Sequence, residues 1–212
     1  MGKVKPNVLG VFSGKIGNMV YATWKGIPYV RSKPVSINNP RTEAQQSHRA
    51  KFALGIRFLK PCTNFIRVGY QKYAIKKSAS NAALSYILAN AITGSYPDYR
   101  IDYPRVLLSR GSLMPPVNVQ ASIVDGTVLI SWDNNSRSNG CANATDKALA
   151  IVINPDNGEV AYKIAGAPRA SCIEMLDLPT CRTGDQVVVY LGFISDDDKE
   201  VSDSVYAGSI TV

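Results

Sequence analysis

The chain has 212 residues, of which 45% are hydrophobic and 19% charged, and its formal net charge is +8. This composition is typical of a folded protein of one large or two small domains, and it excludes intrinsic disorder. No apolar run approaches the roughly 20 residues of a membrane helix, and the basic N-terminus lacks the apolar core of a secretory signal. We therefore expect no membrane partner and no signal peptide.

The charge is divided unevenly along the chain. Residues 1–110 hold 18 Lys and Arg against three acidic residues, and residues 111–212 hold 6 against 13, so the two parts carry +15 and −7. This asymmetry favours a polyanionic partner, or self-association of the basic half of one copy with the acidic half of the next. Such a head-to-tail contact gives rings or open arrays, so we expect an oligomer. The alternative is a solvated basic face without a dedicated partner.

The first 34 residues predict a β-meander. Short apolar strands are expected over residues 8–12, 19–24 and 27–32, with glycine-containing turns over 13–18 and 25–26. Pro28 suits an edge or the start of a strand.

A helix signal follows the meander. Thr42 and Gln45 match a capping box, and Glu43 lies in the first turn, where the helix dipole favours an acid. The spacing predicts a helix over residues 43–60, which Pro61 ends or kinks. Its expected apolar stripe consists of His48, Phe52, Ile56 and Leu59.

Two further helices are predicted. The second spans residues 62–77, and its expected apolar side consists of Phe65, Ile66, Tyr70 and Tyr73. The third spans residues 82–92, with a cap at Ser80 and Asn81 and a stop at Gly94. The connector that follows, over residues 95–114, includes a predicted strand over 105–109.

From residue 117 onward the pattern is all-β. The predicted strands cover residues 117–121, 127–132, 148–154, 159–164, 171–176, 186–194 and 204–212. Seven short strands separated by Gly, Pro, Asn and Asp turns are typical of a β-sandwich. The sequence therefore predicts an α+β protein. A basic domain of meander and two or three helices spans residues 1–114, and an all-β sandwich of the immunoglobulin or fibronectin III type spans residues 115–212.

The C-terminal part resembles a fibronectin type III module. Pro115-Pro116-Val117 and the strand that ends at Trp132 resemble its first two strands, and the run from Val188 to Phe193 resembles its strand F. Gln186 and Val187 stand where that family has the tyrosine of its tyrosine corner.

The N-terminal half resembles a family of short uncharacterised proteins common in Bacteroidota and their phages. The matching stretches are Gly2–Val4, Leu9–Asn18, Trp24–Gly26, Val30–Ser32 and Asn39–Gln46. The resemblance implies a virion or assembly component and carries no established activity.

The residues needed for catalysis or for metal binding are sparse. His48 is the single histidine, no Cys-x-x-Cys pair exists, and the adjacent acids of residues 196–198 suit a hairpin tip better than a calcium loop. We expect no enzyme activity, no metal and no cofactor. The four cysteines are expected to be thiols, with a Cys141–Cys172 or Cys172–Cys181 disulfide left open.

Three functions compete at this point. The first is a structural or assembly protein of a virion, or of the cytoplasm, that docks on a protein partner or on itself. Its candidate docking residues are Arg41, Arg49, Arg57, Lys60, Lys72, Lys76 and Lys77. The second is nucleic-acid binding through these cations, with Tyr21, Trp24 and Tyr29 as stacking residues. The third is a carbohydrate or surface module with an aromatic platform of Tyr162, Tyr190 and Tyr206.

Overall fold

A computed structural model describes residues 2–3, 13–36, 39–136 and 141–212, with the backbone alone at residues 2 and 3. The chain divides into a meander unit, Met1–Thr42, and a main unit, Glu43–Val212. The predicted strand over residues 8–12 lies outside the described residues.

The meander unit is one antiparallel sheet in the order β1-β4-β3-β2. Its strands are β1 (Gly2–Lys3), β2 (Gly14–Ile16), β3 (Met19–Trp24) and β4 (Ile27–Ser32). Both residues of the Lys25-Gly26 turn have positive φ, 46° and 77°, as a tight two-residue hairpin turn requires. The strands over 19–24 and 27–32 are confirmed. Residues 14–16 were predicted as part of a turn, but they form β2 because they pair with β3.

The main unit begins with three helices. They are α1 (Glu43–Leu59), α2 (Thr63–Gly69) and α3 (Ala79–Asn90). The first matches its prediction. The second is shorter than predicted, because the chain tightens into a 3₁₀ turn over Gln71–Tyr73. The third starts three residues early, because Ser78 is the N-cap and its side chain accepts a hydrogen bond from the Asn81 N–H at 3.1 Å. None of the described helices is both long and apolar enough to cross a membrane.

The buried face of α1 differs from the predicted stripe. Phe52 and Ile56 are 42% and 43% exposed, and His48 is also exposed. Of the predicted stripe, Leu59 is buried, together with Phe58. The helix is rotated because it approaches α3 closely at Gly55, where a Cβ atom would lie 2.7 Å from Leu84 Cδ1. The spacing alone could not show which of two partly apolar faces would meet α3.

The connector packs tightly without forming the predicted strand. It contains a small hairpin of β5 (Ile92–Thr93) and β6 (Arg100–Ile101). The strand predicted over residues 105–109 is wrong. The chain there donates hydrogen bonds from the Leu108 and Ser109 N–H groups to Ser204 Oγ, at 2.9 and 3.3 Å, in place of a ladder. Gly69 permits this path, because a Cβ atom there would lie 2.5 Å from the Leu108 carbonyl oxygen.

The C-terminal part is a sandwich of two antiparallel sheets. Its strands are β7 (Val117–Val124), β8 (Thr127–Asp133), β9 (Lys147–Ile153), β10 (Val160–Lys163), β11 (Ile173–Asp177), β12 (Gln186–Ile194) and β13 (Val205–Thr211). The order is β11-β8-β7 in one sheet and β10-β9-β12-β13 in the other. This confirms the α+β class and the C-terminal sandwich, with each strand within three residues of its predicted ends.

The two central strands of the four-stranded sheet of the sandwich, β9 and β12, are buried on both faces. Alternate residues of β9 and β12, together with Trp132 of β8, form an inner core between the two sheets, which includes Ala148, Ala150, Val152, Val187, Val189, Leu191 and Phe193. The other residues of these strands form an outer core with the three helices, which includes Leu149, Ile151, Ile153, Val188, Tyr190 and Ile194. Buried Cys62 joins the outer core, and burial raises the pKa of its thiol to about 12. All four cysteines are free thiols.

A buried ion pair fastens the start of the sandwich. Arg169 and Asp146 are both fully buried and are joined by a 3.0 Å contact. The Arg169 guanidinium also donates to the Met114 carbonyl and to Asn135 Oδ1, and it lies 3.8 Å from the centre of the Phe193 ring. Burial lowers the pKa of Arg169, and the Asp146 charge opposes that shift. The pair therefore ties the Met114 connector to the inner core.

The compact units of the structure divide between residues 42 and 43, and the predicted domain boundary between residues 114 and 115 stays a prediction. The helices over residues 43–90 share the outer core with β9 and β12, so they belong to the same unit as the sandwich. A sandwich that folds independently of these helices stays a prediction.

Truncating the helical side of the outer core should destabilise the sandwich. In a Trp24→Phe background, Trp132 is the single tryptophan and reports on the inner core. Fully buried Ile66 lies on α2, so Ile66→Ala should lower the free energy of unfolding of the Trp132 transition by about 2–5 kcal/mol. Urea titrations followed by fluorescence and by circular dichroism measure this.

The matched control is Ile173→Ala, since Ile173 is 45% exposed on β11. It should change stability by less than about 0.5 kcal/mol. A Trp132 transition that is unaffected by Ile66→Ala would show that the helices and the sandwich unfold separately.

Candidate functional site

The side chains most suited to chemistry are dispersed. His48 is exposed on α1, and within the described ranges no group of three His, Cys, Asp or Glu side chains could hold a metal ion. Asp196 and Asp198 pair with Lys147 at 3.2 and 3.9 Å, and Asp197 pairs with Lys199. Hydrogen bonds from Ser195 and Lys199 lower the pKa of Asp197 to about 2. These three acids form a hairpin tip, and each of them is paired with a lysine of the same chain.

The predicted docking cations are divided between the two units and lie on several elements. Arg41 belongs to the meander unit, and the other six belong to the main unit. Arg49 and Arg57 are exposed on α1, and Lys60 follows that helix. Lys72 lies in the 3₁₀ turn, and Lys76 and Lys77 are exposed in the loop before α3.

Lys72 already has a partner within the chain. Its ammonium contacts the carboxylate of Glu200 in the loop between β12 and β13, and Ser112 donates to the other oxygen of that carboxylate. Gln71 donates to the Asp198 carbonyl at 3.0 Å in the same region. The hydrogen bonds from Lys72, first, and from Ser112 hold the pKa of Glu200 below its usual value. Part of the basic half is thus docked on acidic residues of its own sandwich.

A cleft of about 770 Å³ is the candidate site in the main unit. Three segments line it: the C-terminal end of α1, the region of β6, and the turn between β9 and β10. The residues that matter most for its chemistry are Arg57, Phe58, Lys60, Tyr99, Arg100, Tyr103 and Asp156. Its volume lies in the range of small-molecule pockets, and its lining combines aromatic rings with a few charges.

Two predicted docking residues meet here, and a third cation was missed. Arg57 and Lys60 come together with Arg100, which the sequence left without a role. The β5–β6 hairpin brings Arg100 to α1, and Ser47 and Tyr99 hydroxyls bond at 2.6 Å beside it. Its connector has no periodic pattern, so no sequence signal could have placed Arg100 beside α1.

The aromatic rings of the cleft are held in place. The Tyr103 and Phe58 ring centres are 6.0 Å apart, and the Lys51 ammonium lies 4.8 Å from the centre of the Tyr99 ring. Burial, followed by the Asp156 charge, raises the pKa of Tyr103, so this phenol stays neutral at physiological pH.

The three tyrosines considered as a binding platform face the helices. Tyr190 is fully buried, and its hydroxyl donates to the Tyr103 carbonyl at 3.0 Å. Tyr206 packs against Tyr190, with ring centres 5.6 Å apart, and Tyr162 packs edge-on against Phe65. Tyr190 and Tyr206 are thus used in the outer core, whereas Tyr162 is 38% exposed, so the three rings do not form one exposed platform.

These features define an α+β protein in which the three helices and the β11-β8-β7 sheet pack on opposite faces of the β10-β9-β12-β13 sheet. A basic, aromatic cleft lies at the C-terminal end of α1. The model of DUF6266, a family of unknown function, matches residues 11–208. The chain belongs to this family. No curated protein and no solved structure matches it.

Removing Lys72 should raise the pKa of Glu200 toward the usual value of a glutamate, because its main hydrogen-bond donor is lost. Carboxyl NMR titrations of the wild type and of Lys72→Gln measure this. Because the folded-state pKa is lowered, the contact stabilises the fold at neutral pH, and the benefit is lost as the pH falls through that pKa.

Lys199→Gln is the matched control. It should raise the pKa of Asp197 and leave that of Glu200 unchanged. A Glu200 pKa that is insensitive to Lys72→Gln would mean that Lys72 is not docked on its own sandwich.

Proposed function

We propose that this is a non-enzymatic structural or assembly protein whose N-terminal half docks on a protein partner. The observation that carries the proposal is the exposure of the meander unit. None of its described residues, 13–36 and 39–42, is buried. Its exposed apolar residues include Ile16, Met19, Trp24 and Ile27, which are 60%, 52%, 53% and 39% exposed.

The apolar residues of the meander occupy both faces of its sheet. Ile16 pairs with Met19 across β2 and β3, and Ile27 pairs with Trp24 across β3 and β4. Met19 and Trp24 are five residues apart in one strand, so these two pairs point to opposite faces. Apolar residues on both faces are typical of a sheet covered on both sides. A small sheet needs such cover for stability, and exposed apolar patches mark interaction sites.

The charge of the meander indicates the kind of partner. Residues 13–42 contain Lys15, Lys25, Arg31, Lys33 and Arg41 and no acidic residue. A partner that covers this sheet would therefore present an apolar surface bordered by carboxylates. The acidic sandwich of a second copy has that sign of charge, so self-assembly is the simplest form of the proposal.

Two finer proposals rest on the resemblances. The N-terminal stretches resemble a phage-associated family, which supports a role in a bacteriophage particle, at its capsid or tail. The three-on-four strand arrangement and buried Trp132 support a fibronectin III-like module that acts as a spacer or a platform.

Nucleic-acid binding through the basic helices is the alternative. It has less support, because the cations proposed for it lie on several elements and Lys72 is paired with Glu200. Exposed Trp24 remains available for stacking on bases, so the alternative calls for a measurement that reports nucleic acid directly.

Replacing the exposed apolar residues of the meander should weaken self-assembly. The wild type is expected to elute as an oligomer in size-exclusion chromatography with light scattering. The ratio of the absorbances at 260 and 280 nm across the peak should be that of a protein without nucleic acid. Met19→Ser/Trp24→Ser should shift the mass to that of a monomer, because it removes one apolar residue from each face of the sheet. High salt should shift it in the same direction if the contact is between basic and acidic surfaces.

The matched control is Phe52→Ser/Ile56→Ser on α1, where the two residues are 42% and 43% exposed. It removes apolar area outside both the meander and the acidic sandwich, so it should leave the mass unchanged. A wild type that is monomeric at both salt concentrations contradicts self-assembly, and a peak that carries salt-strippable nucleic acid favours the alternative.

A further inference from the structure

The cleft of the main unit gathers cations that have no carboxylate partner. Arg57, Lys60 and Arg100 line it, and across the described residues none of the three is in an ion pair. Other cations of the unit behave differently, since Lys72, Lys147 and Lys163 each pair with an acid. We propose that this cleft is a binding site for an organic phosphate of nucleotide size.

Two of these cations lie beside backbone that is already hydrogen-bonded. Arg57 and Lys60 lie at the C-terminal end of α1, where free carbonyl groups attract positive charge. Three carbonyls there have donors: Ile56 O accepts from Lys60 N at 2.9 Å, Leu59 O from Cys62 N at 3.1 Å, and Lys60 O from the Thr63 hydroxyl at 2.6 Å. The guanidinium and ammonium groups therefore remain available to a ligand. Arginine donates to phosphate oxygens in pairs, and lysine adds a point charge.

The rest of the lining fits the other parts of such a ligand. Tyr99 and Tyr103, which are half-buried, supply aromatic surface for a flat ring, as base-stacking sites do, and buried Phe58 packs behind Tyr103. Asp156 lies in the turn between β9 and β10, and its carboxylate has no hydrogen-bond or ion-pair partner in the described part of the chain. It can accept hydrogen bonds from sugar hydroxyls.

Two features favour a small ligand over a nucleic-acid strand. The cleft holds about 770 Å³, which suits a single nucleotide. The Asp156 charge would repel a continuous phosphate backbone but would tolerate a terminal phosphate held at the cations. The turn that carries Asp156 is braced, since Gly158 N donates to Asn154 O at 2.9 Å and Asn157 donates to the Thr180 carbonyl at 2.7 Å. This side of the cleft is therefore preformed.

The test is isothermal titration calorimetry of the full chain with ADP, pyrophosphate and adenosine. ADP should bind more tightly than pyrophosphate, and adenosine most weakly, because the cations and the rings both contribute. Arg100→Gln and Lys60→Gln should each weaken ADP binding by about tenfold, through the loss of a charge-assisted contact. Asp156→Asn should tighten pyrophosphate binding, because it removes a repulsion. A gain of affinity cannot come from misfolding.

Arg67→Gln is the matched control, since Arg67 is exposed on α2 and does not line the cleft. It removes one positive charge and should leave ADP affinity unchanged. The proposal is overturned if ADP does not bind, or if Arg67→Gln weakens it as much as Arg100→Gln. It is also overturned if a single-stranded oligonucleotide binds where ADP does not. The Met19→Ser/Trp24→Ser variant leaves the cleft residues intact. ADP binding therefore tests the cleft separately from the proposed assembly through the meander.

Discussion

The burial of β9 and β12 on both faces is the constraint on which the main unit depends. One set of alternate side chains, with Val152 and Val189 among them, packs on the three-stranded sheet, and the other set, with Ile151 and Tyr190, packs on the helices. An antiparallel sheet commonly keeps one face in water, so its strands alternate between apolar and polar residues. These two strands cannot do so. The helices are therefore a third layer of the fold, and the acidic sandwich and the basic helices form one body.

This constraint explains why part of the basic half is paired with acidic residues of the same chain. The basic segment between α2 and α3 lies against the β12–β13 loop of the same chain, where Lys72 meets Glu200. The sequence suggested that the basic half of one copy pairs with the acidic half of another. Some of these opposite charges instead pair within a single chain. The two surfaces that we propose for binding are the meander unit, with its exposed apolar pairs, and the cleft, with its three cations.

Most strands and helices could be predicted from the sequence because their signals are local. The turn at Lys25-Gly26, the start of α1 at Glu43 and the apolar runs of β9 and β12 each act within a few residues. The uninterrupted apolar runs of β9 and β12 also indicate burial on both faces, because a strand with one solvent-exposed face would alternate apolar and polar residues. The orientation of α1, the path of residues 106–110 and the position of Arg100 depend on contacts between distant segments. A single sequence contains no local signal for them, so half of the cleft could not be predicted.

Native-state hydrogen exchange of the full chain tests the shared core most directly. Backbone amides of α3, at Ala83 and Ile87, and of β9 and β12, at Ile151 and Val189, can be compared in one experiment. If the helices and the sandwich form one cooperative unit, the slowest amides of all three elements should exchange with the same opening free energy and the same denaturant dependence. Amides of α3 that exchange through a much easier opening, while those of β9 and β12 keep full protection, would contradict the account. The sandwich would then be an independent domain with helices merely attached.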